Sequence, residues 1–486
     1  MAKEALMTKE ASVSTDAPNG GLIADAPAPK DAPLTEDAPT GAPQGGPLRA
    51  VVVILDGAAG DALEVYGGRT TLEAASTPHL DALAREGVVG LVRNVPSGME
   101  PSSNVACTSI VGYDPADYPI GRGALELAAL GVPLEDGQVA LRVNLVNVTP
   151  AGVMHSYSTD NISSEDGHAL GDELKAALDD DTFTLYKGTG FRLYLVVTGH
   201  PALMETTFSA AHDIADMPVA EHPPRGPEAQ LVRDFEARAK EVLAASPVNR
   251  RRIAQGLLPA TDVSVFWPGV RPQGMEDFSG RFGRQAALNS GVDLLNGIAQ
   301  LAGIRRCHFA GVTDGPDNDY AAQGEGALAM LGENDVAFVH VESPDAEGHD
   351  GNVEGKRRAI EAIDREIVGR LRSWAAERPL RILALPDHPT PLATKRHTSD
   401  PVPFVMAGPG IAPNAAQRLT EAEARSSGLL VDPGHRLLST LLVHTPLSSR
   451  ACRGILGRAS GRPQAEGPPD LPLDTACPRI PRRGPE

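Results

Sequence analysis

The sequence predicts an α/β protein, with a mostly parallel sheet sandwiched by helices and a smaller α/β domain inserted into it. Three observations predict it. Short β-branched or apolar runs alternate with helical patterns, at AVVVILDG (50–57), DVAFVHVE (335–342), RILALPDH (381–388) and VPFVMAGPG (402–410). These runs are continuous, as buried parallel strands covered on both faces require. Three of the four stop at or just before a charged or imidazole group: Asp56, then Glu342 to Asp345, then Asp387 and His388. Ligands gather beyond the carboxyl ends of strands in an open parallel sheet, so this pattern assembles one site from distant segments.

At 486 residues the chain exceeds one ordinary core. Residues 1–48 are rich in Ala, Pro and Asp and repeat Asp-Ala-Pro at Asp16, Asp25, Asp31 and Asp37, with too few large apolar residues for a core, so a disordered arm is expected there. Segments 49–119 and 286–450 are expected to form one discontinuous domain that carries the site. Between them, 120–285 contains VALRVNLVNVT and FRLYLVV, which read as edge or mixed strands of the inserted domain. Residues 451–486 turn Pro/Gly/Arg-rich and read as a second disordered tail.

A net charge of −19 and a pI near 5.1 disfavour nucleic acid or an anionic membrane as partner, so an anionic substrate must meet a local basic pocket. Cys107, Cys307, Cys452 and Cys477 lie far apart and suit neither a disulfide framework nor a Cys-x-x-Cys zinc site. With no apolar leader and no apolar run of about 18 residues, the expectation is a soluble cytoplasmic protein.

Phosphoryl transfer at two metal ions needs carboxylate and imidazole ligands and an oxygen nucleophile. Candidates stand at each strand end: Asp56 in LDGAAGD, Asp345 and His349 in SPDAEGHD, Asp387 and His388 in LPDHPTP, and His397 in RHTSDPVP. Asp-x-x-x-His turns both side chains the same way on one helical turn. Asp387 and His388 would splay apart on a regular strand, but just beyond one the backbone can turn. Alone, an aspartate before glycine is most often a turn residue, and a single histidine a surface or core residue. Their shared order and context carry the reading. In PSSNVACTSI either Ser102 or Ser103 could cap a helix, and a helix N-terminus also favours an anion.

PSSNVACTSIVGYDP (101–115), GRGALE (121–126), VALRVNLV (139–146), PDAEGHDG (344–351), DHPTP (387–391) and HTSDPVPF (397–404) together resemble the archaeal-type 2,3-bisphosphoglycerate-independent phosphoglycerate mutases of the alkaline phosphatase superfamily, over about residues 49–445. The resemblance implies an alkaline-phosphatase-like fold and a phosphoserine route between 3- and 2-phosphoglycerate that needs no bisphosphoglycerate. It implies that Asp56, Asp387, His388 and Ser103 surround one divalent ion, that Asp345, His349 and His397 surround the other, and that Ser103 is the nucleophile. Manganese is the first expectation, with zinc, cobalt or magnesium as alternatives. Arg122, Arg142, Arg192 and Arg252 occupy positions similar to the family's basic contacts to a small phosphorylated substrate, and His212-Asp213 resembles a further family segment.

The chain departs from the family pattern at Asn104, at Thr159-Asp160-Asn161, at Gln285 and Gln323, and at Phe191 and Leu193. The metal half is complete and the substrate half edited. A related metal-dependent phosphatase, or a homoserine-kinase-like phosphotransferase acting on another small substrate, is therefore the second reading.

Overall fold

A computed structural model of the protein describes residues 47–118 and 120–442. The tail expected at 451–486, and the arm expected at 1–48 except its last two residues, lie outside these. The described strands are, in chain order, β1 (Arg49–Leu55) and β2 (Val88–Val92); β3 (Gln138–Val148), β4 (Met154–Ser156), β5 (Phe183–Lys187), β6 (Arg192–Thr198) and β7 (Asp262–Gly269); then β8 (Ala286–Asn289), β9 (Arg305–Arg306), β10 (Val336–Val341), β11 (Leu380–Leu385), β12 (Val402–Ala407) and β13 (Leu430–Val431). The first pair and the last six form one eight-stranded sheet in the order β13-β2-β12-β11-β1-β10-β8-β9, and the middle five form another.

Strand β1 runs parallel to β10 on one side and to β11 on the other. Val51 through Leu55 are all 0% exposed, which requires cover on both faces as well as both edges. Each such apolar side chain contributes about 1.5–3 kcal/mol by burial, so the sheet centre supplies a large share of the fold's stabilisation. The run at 402–410 differs from expectation: β12 is antiparallel to both β11 and β2. All six of its residues are buried, and a strand covered on both faces has the same apolar pattern whichever way it runs. Its reversal puts the start of β12 beside the end of β11. The carboxyl ends of β1, β10 and β11 and the segment entering β12 therefore share one rim of the sheet.

The smaller sheet is antiparallel, and neither segment read as an edge or mixed strand lies at an edge. β3 pairs with β6 on one side and β7 on the other, and β6 also pairs with β5. Side chains alternate along each strand. Val139, Leu141, Val143 and Leu145 of β3, with Leu193, Leu195 and Val197 of β6, pack into a core with helices Ser164–Leu178 and Ala229–Ala245. Ala140, Tyr194 and Val196 point the other way and join the core of the larger sheet. Arg142, Asn144 and Arg192 belong to this second phase, so one face of the small sheet carries them toward the large one.

Helices Arg122–Ala129 and Asp293–Leu301 pack together between the two sheets, at a backbone approach that only glycine permits. A Cβ on Gly297 would overlap the Leu125 carbonyl. No helix among the described residues is long and apolar enough to cross a membrane. Gly297→Ala is expected to destabilise the fold by about 1–3 kcal/mol through overpacking, read as a lowered Tm, whereas Gln300→Ala on the exposed side of the same helix should leave Tm unchanged.

Candidate active site

Asp56 follows β1 directly and is fully buried. Gly57 turns the chain with φ +60, and a side chain there would collide with Asp345; this is the local reason for Asp-Gly at the strand end. The Gly57 amide donates to Asp387 Oδ1 at 3.0 Å, as does the His388 amide at 2.7 Å, so Asp387 is tied to the Asp56 turn. Asn94 Nδ2 donates to the carbonyls of Pro386 (3.2 Å) and Asp387 (2.9 Å), fixing the irregular backbone that follows β11. Beneath both turns lies Lys356, 1% exposed, whose ammonium donates to the carbonyls of Ala59 (3.2 Å) and Thr390 (2.7 Å). Burial lowers its pKa to about 8.

Helix Ser343–Asp350, which follows β10, carries Asp345 and His349 on one face, with His349 Nε2 3.1 Å from Asp345 Oδ2. His397 arrives from the segment entering β12; its Nε2 lies 2.8 Å from His349 Nε2 and 3.5 Å from Asp345 Oδ1. The Thr390 hydroxyl also donates to Asp345 Oδ1. His388 links the two halves. Its ring stacks on His397 with centroids 3.9 Å apart, and its Nε2 lies 3.1 Å from Asp387 Oδ2, 3.8 Å from Asp56 Oδ1 and 3.1 Å from Ser103 Oγ. Ser103 is the first residue of helix Ser103–Ile110; Ser102 occupies the N-cap position and makes no capping bond.

Among the overlapping groups that could hold a metal ion are Asp56/Asp387/His388 and Asp345/His388/His397, each with donor atoms within 4.8 Å of one another. His349 completes the second set through its contacts with Asp345 and His397. Burial, reinforced by Asp387 and Asp345, pushes the Asp56 carboxyl well above the usual carboxylate range. Burial and then Asp56 do the same to Glu342. Burial would also raise Asp345, but hydrogen bonds from His349 and His397 outweigh it and hold that carboxyl well below its ordinary value. The bond to Asp345 in turn lifts His349 to about 9, while burial lowers His388. Asp56 Oδ1, Asp387 Oδ2 and Glu342 Oε2 are buried and accept no hydrogen bond. Mutually repelling carboxylates with unpartnered oxygens among imidazoles fit divalent cations.

Three of the four singled-out arginines come together. Glu126 accepts from Arg122 Nε at 2.9 Å and from Arg142 Nη1, and Arg142 Nε donates to Asn144 Oδ1 at 2.9 Å. The Arg122 guanidinium lies 4.0 Å from the centroid of Trp267, and Arg142 lies over the same ring at 5.8 Å. Arg192 stacks on Phe191 at 5.0 Å, a ring that Arg142 also faces at 5.9 Å, and its guanidinium has no hydrogen-bond partner among the described residues. His212 joins this group through Trp267, with ring centroids 5.4 Å apart. Arg252 is placed differently: it is 5% exposed, 2.6 Å from Asp166, and donates to the Leu258 carbonyl, sharing no partner with the other three.

Among the departures from the family pattern, Gln323 is buried between Asn318 (2.9 Å) and the His340 carbonyl (2.7 Å), and Asn104 reaches the Ile120 carbonyl at 3.4 Å. Gln285 is exposed. Thr159, Asp160 and Asn161 all have left-handed backbone, at φ 50, 56 and 51. Sequence reasoning missed His340, Lys356, Thr390, Asn94 and Trp267 and gave Glu126 no role. A histidine and a lysine at positions otherwise reading as apolar strand and helix face were the available signals.

Carboxylates and imidazoles gathered at the strand ends of a mostly parallel α/β sheet, with a serine hydroxyl at their edge, make a site of the kind that metal-assisted phosphoryl transfer needs. The family model described as 2,3-bisphosphoglycerate-independent phosphoglycerate mutase matches residues 84–249. A relative of that name from Methanothrix thermoacetophila is 38% identical over 400 residues, covering 81% of this chain and 100% of its own. The 2,3-bisphosphoglycerate-independent phosphoglycerate mutase 2 of Methanothermobacter thermautotrophicus is 38% identical over 396 residues, covering 81% and 97%. The PH0037 protein of Pyrococcus horikoshii shares the fold with TM-score 0.68 and 25% identity over 85% of this chain and 99% of its own. The cofactor-independent phosphoglycerate mutase of Thermoplasma acidophilum does so with TM-score 0.56 and 23% identity over 81% and 99%. The chain belongs to the 2,3-bisphosphoglycerate-independent phosphoglycerate mutase family.

Lys356→Met is expected to release the turns that follow Asp56 and His388, costing roughly 2–3 kcal/mol by the loss of two bonds from a charged donor. Thermal unfolding of the metal-free protein checks this; an unchanged Tm would remove Lys356 from the site's framework.

Proposed function

We propose that the protein interconverts 3-phosphoglycerate and 2-phosphoglycerate through a phosphoserine at Ser103, without bisphosphoglycerate, as a cytoplasmic enzyme acting on a small phosphorylated substrate. The observation that carries this is the placement of Ser103 Oγ, 3.1 Å from His388 Nε2 at the start of a helix, where both ligand sets meet. Asp56, Asp387 and His388 would hold one divalent ion and Asp345, His349 and His397 the other, with manganese the first choice because carboxylate oxygens and imidazoles share the sites. Bound there, two divalent ions would supply charge neutralisation for a transferring phosphoryl group and acidify a coordinated hydroxyl.

The chain's own groups do the rest. Ser103 Oγ forms a P–O bond as the bond to one glycerate hydroxyl breaks, and the reverse step delivers the same phosphoryl group to the other hydroxyl. First-turn amides of helix Ser103–Ile110 favour the anion at that position. Arg122, Arg142 and Arg192, only partly offset by Glu126 and Asp293, offer positive charge to an anionic substrate, and the fork of Arg192, unpartnered among the described residues, suits a carboxylate or phosphate. The ion pair of the buried Arg252 with the partly buried Asp166 supports a framework role for that arginine instead.

With manganese and 3-phosphoglycerate, 2-phosphoglycerate is expected to form without release of free phosphate. Chelation should abolish the reaction and added manganese restore it, while Ser103→Ala should lower kcat by roughly 10³-fold or more. Free phosphate as the sole product, or turnover surviving in the variant, would overturn the proposal. In the same assay Arg192→Ala should raise KM by about 10-fold or more, one lost charged contact, at unchanged Tm. Arg252→Ala should instead lower Tm, by roughly 1.5–3 kcal/mol of stability for the lost charged donor to Asp166 and the Leu258 carbonyl.

A further inference from the structure

We infer that His340 and Ser290 are positioning residues that fix Asp56 so that only its Oδ1 faces the first ion, and that His340 is not itself a ligand. This rests on the two-metal reading above. His340 lies opposite Ile54 in the β10–β1 register, inside an otherwise apolar strand, and is 1% exposed. An imidazole so placed needs partners for both nitrogens. It has them: Nδ1 is 2.9 Å from Ser290 Oγ, and Nε2 is 2.7 Å from Asp56 Oδ2.

Proton accounting gives the direction of each bond. Ser290 Oγ accepts from the Val292 amide at 3.0 Å. Its own proton is then donated to His340 Nδ1, the ring N–H sits on Nε2, and Nε2 donates to Asp56 Oδ2. Gln323 holds the His340 carbonyl at 2.7 Å, and Asn296 Nδ2 holds the Ser290 carbonyl at 3.3 Å, so both ends of the relay are anchored by their backbones. Oδ2 of Asp56 is thereby committed, while Oδ1 is buried, accepts no hydrogen bond and lies 3.8 Å from His388 Nε2. One oxygen held by a neighbouring imidazole and one left free is the arrangement of an oriented monodentate ligand.

Donor atoms of Asp56, His340 and Glu342 also lie within 4.8 Å of one another. For His340 to ligate a further cation through Nε2, its proton would have to move to Nδ1. Ser290 Oγ would then accept from both Val292 and His340, and its own proton would have no acceptor among its described partners.

Titrating metal-free protein with Co²⁺, followed by visible absorption and by metal content after gel filtration, separates these arrangements. Wild type should bind two ions. His340→Ala should weaken one of them by about 10- to 100-fold and leave the other unchanged. His340→Gln, whose amide can donate where Nε2–H does, should recover most of the affinity and the wild-type spectrum. Ser290→Ala, which keeps the imidazole but frees its tautomer, should weaken the same ion several-fold, and it decides the matter if His340→Ala does not fold. Unchanged affinity in His340→Ala or Ser290→Ala would overturn the relay. So would a third ion in wild type that both His340 variants lose, since that makes His340 a ligand. A wild type that binds no divalent ion would instead take down the two-metal reading together with this inference.

Discussion

Asp56, Glu342, Asp345 and Asp387 crowd their carboxyl groups into one mostly buried volume, and much of the surrounding structure is arranged to hold them there. Burial and mutual repulsion push Asp56 and Glu342 up, and the unpartnered oxygens of Asp56, Asp387 and Glu342 are a standing demand for positive charge. The framework meets part of that demand. Lys356 lies beneath the turns, backbone amides of Gly57 and His388 point at Asp387, and imidazoles surround Asp345. What remains is what divalent ions would satisfy.

This crowding is possible because the sheet is rigid where it matters. β10, β1 and β11 are adjacent, parallel and buried, so the residues just past their ends are held at neighbouring points on one rim. The antiparallel run of β12 brings His397 to the same rim from the opposite chain direction. Without that reversal, its entry segment would lie at the far end of the sheet. The smaller sheet uses the other periodicity. Alternation along β3 and β6 sends Arg142 and Arg192 to the face opposite the small sheet's own core, toward the larger one.

Charge is divided between the two faces of the site. Acidic groups dominate the rim of the large sheet, whereas Arg122, at the start of the helix packed between the sheets, and Arg142, in β3, share a single buried carboxylate, Glu126, and a platform formed by Trp267. Arg252 illustrates how identical chemistry can serve the framework: with a carboxylate and a carbonyl already on its guanidinium, it has little left to offer a ligand.

The amino-acid sequence by itself determined the α/β class, the rim and most of the carboxylates and imidazoles gathered on it, because strand ends are local: a continuous apolar run followed by Asp56, or by Asp387 and His388, is visible within ten residues. The resemblance of several motifs to one family was equally legible, and relatives 38% identical bear it out. The direction of β12, the central position of β3 and the separation of Arg252 from the other arginines were decided only by the tertiary structure. Burial is encoded in composition, but direction and partnership are not. The same holds for His340 and Ser290, 50 residues apart. An imidazole in an apolar strand announces that it needs partners, and only packing decides that they are a serine on one side and the Asp56 carboxylate on the other.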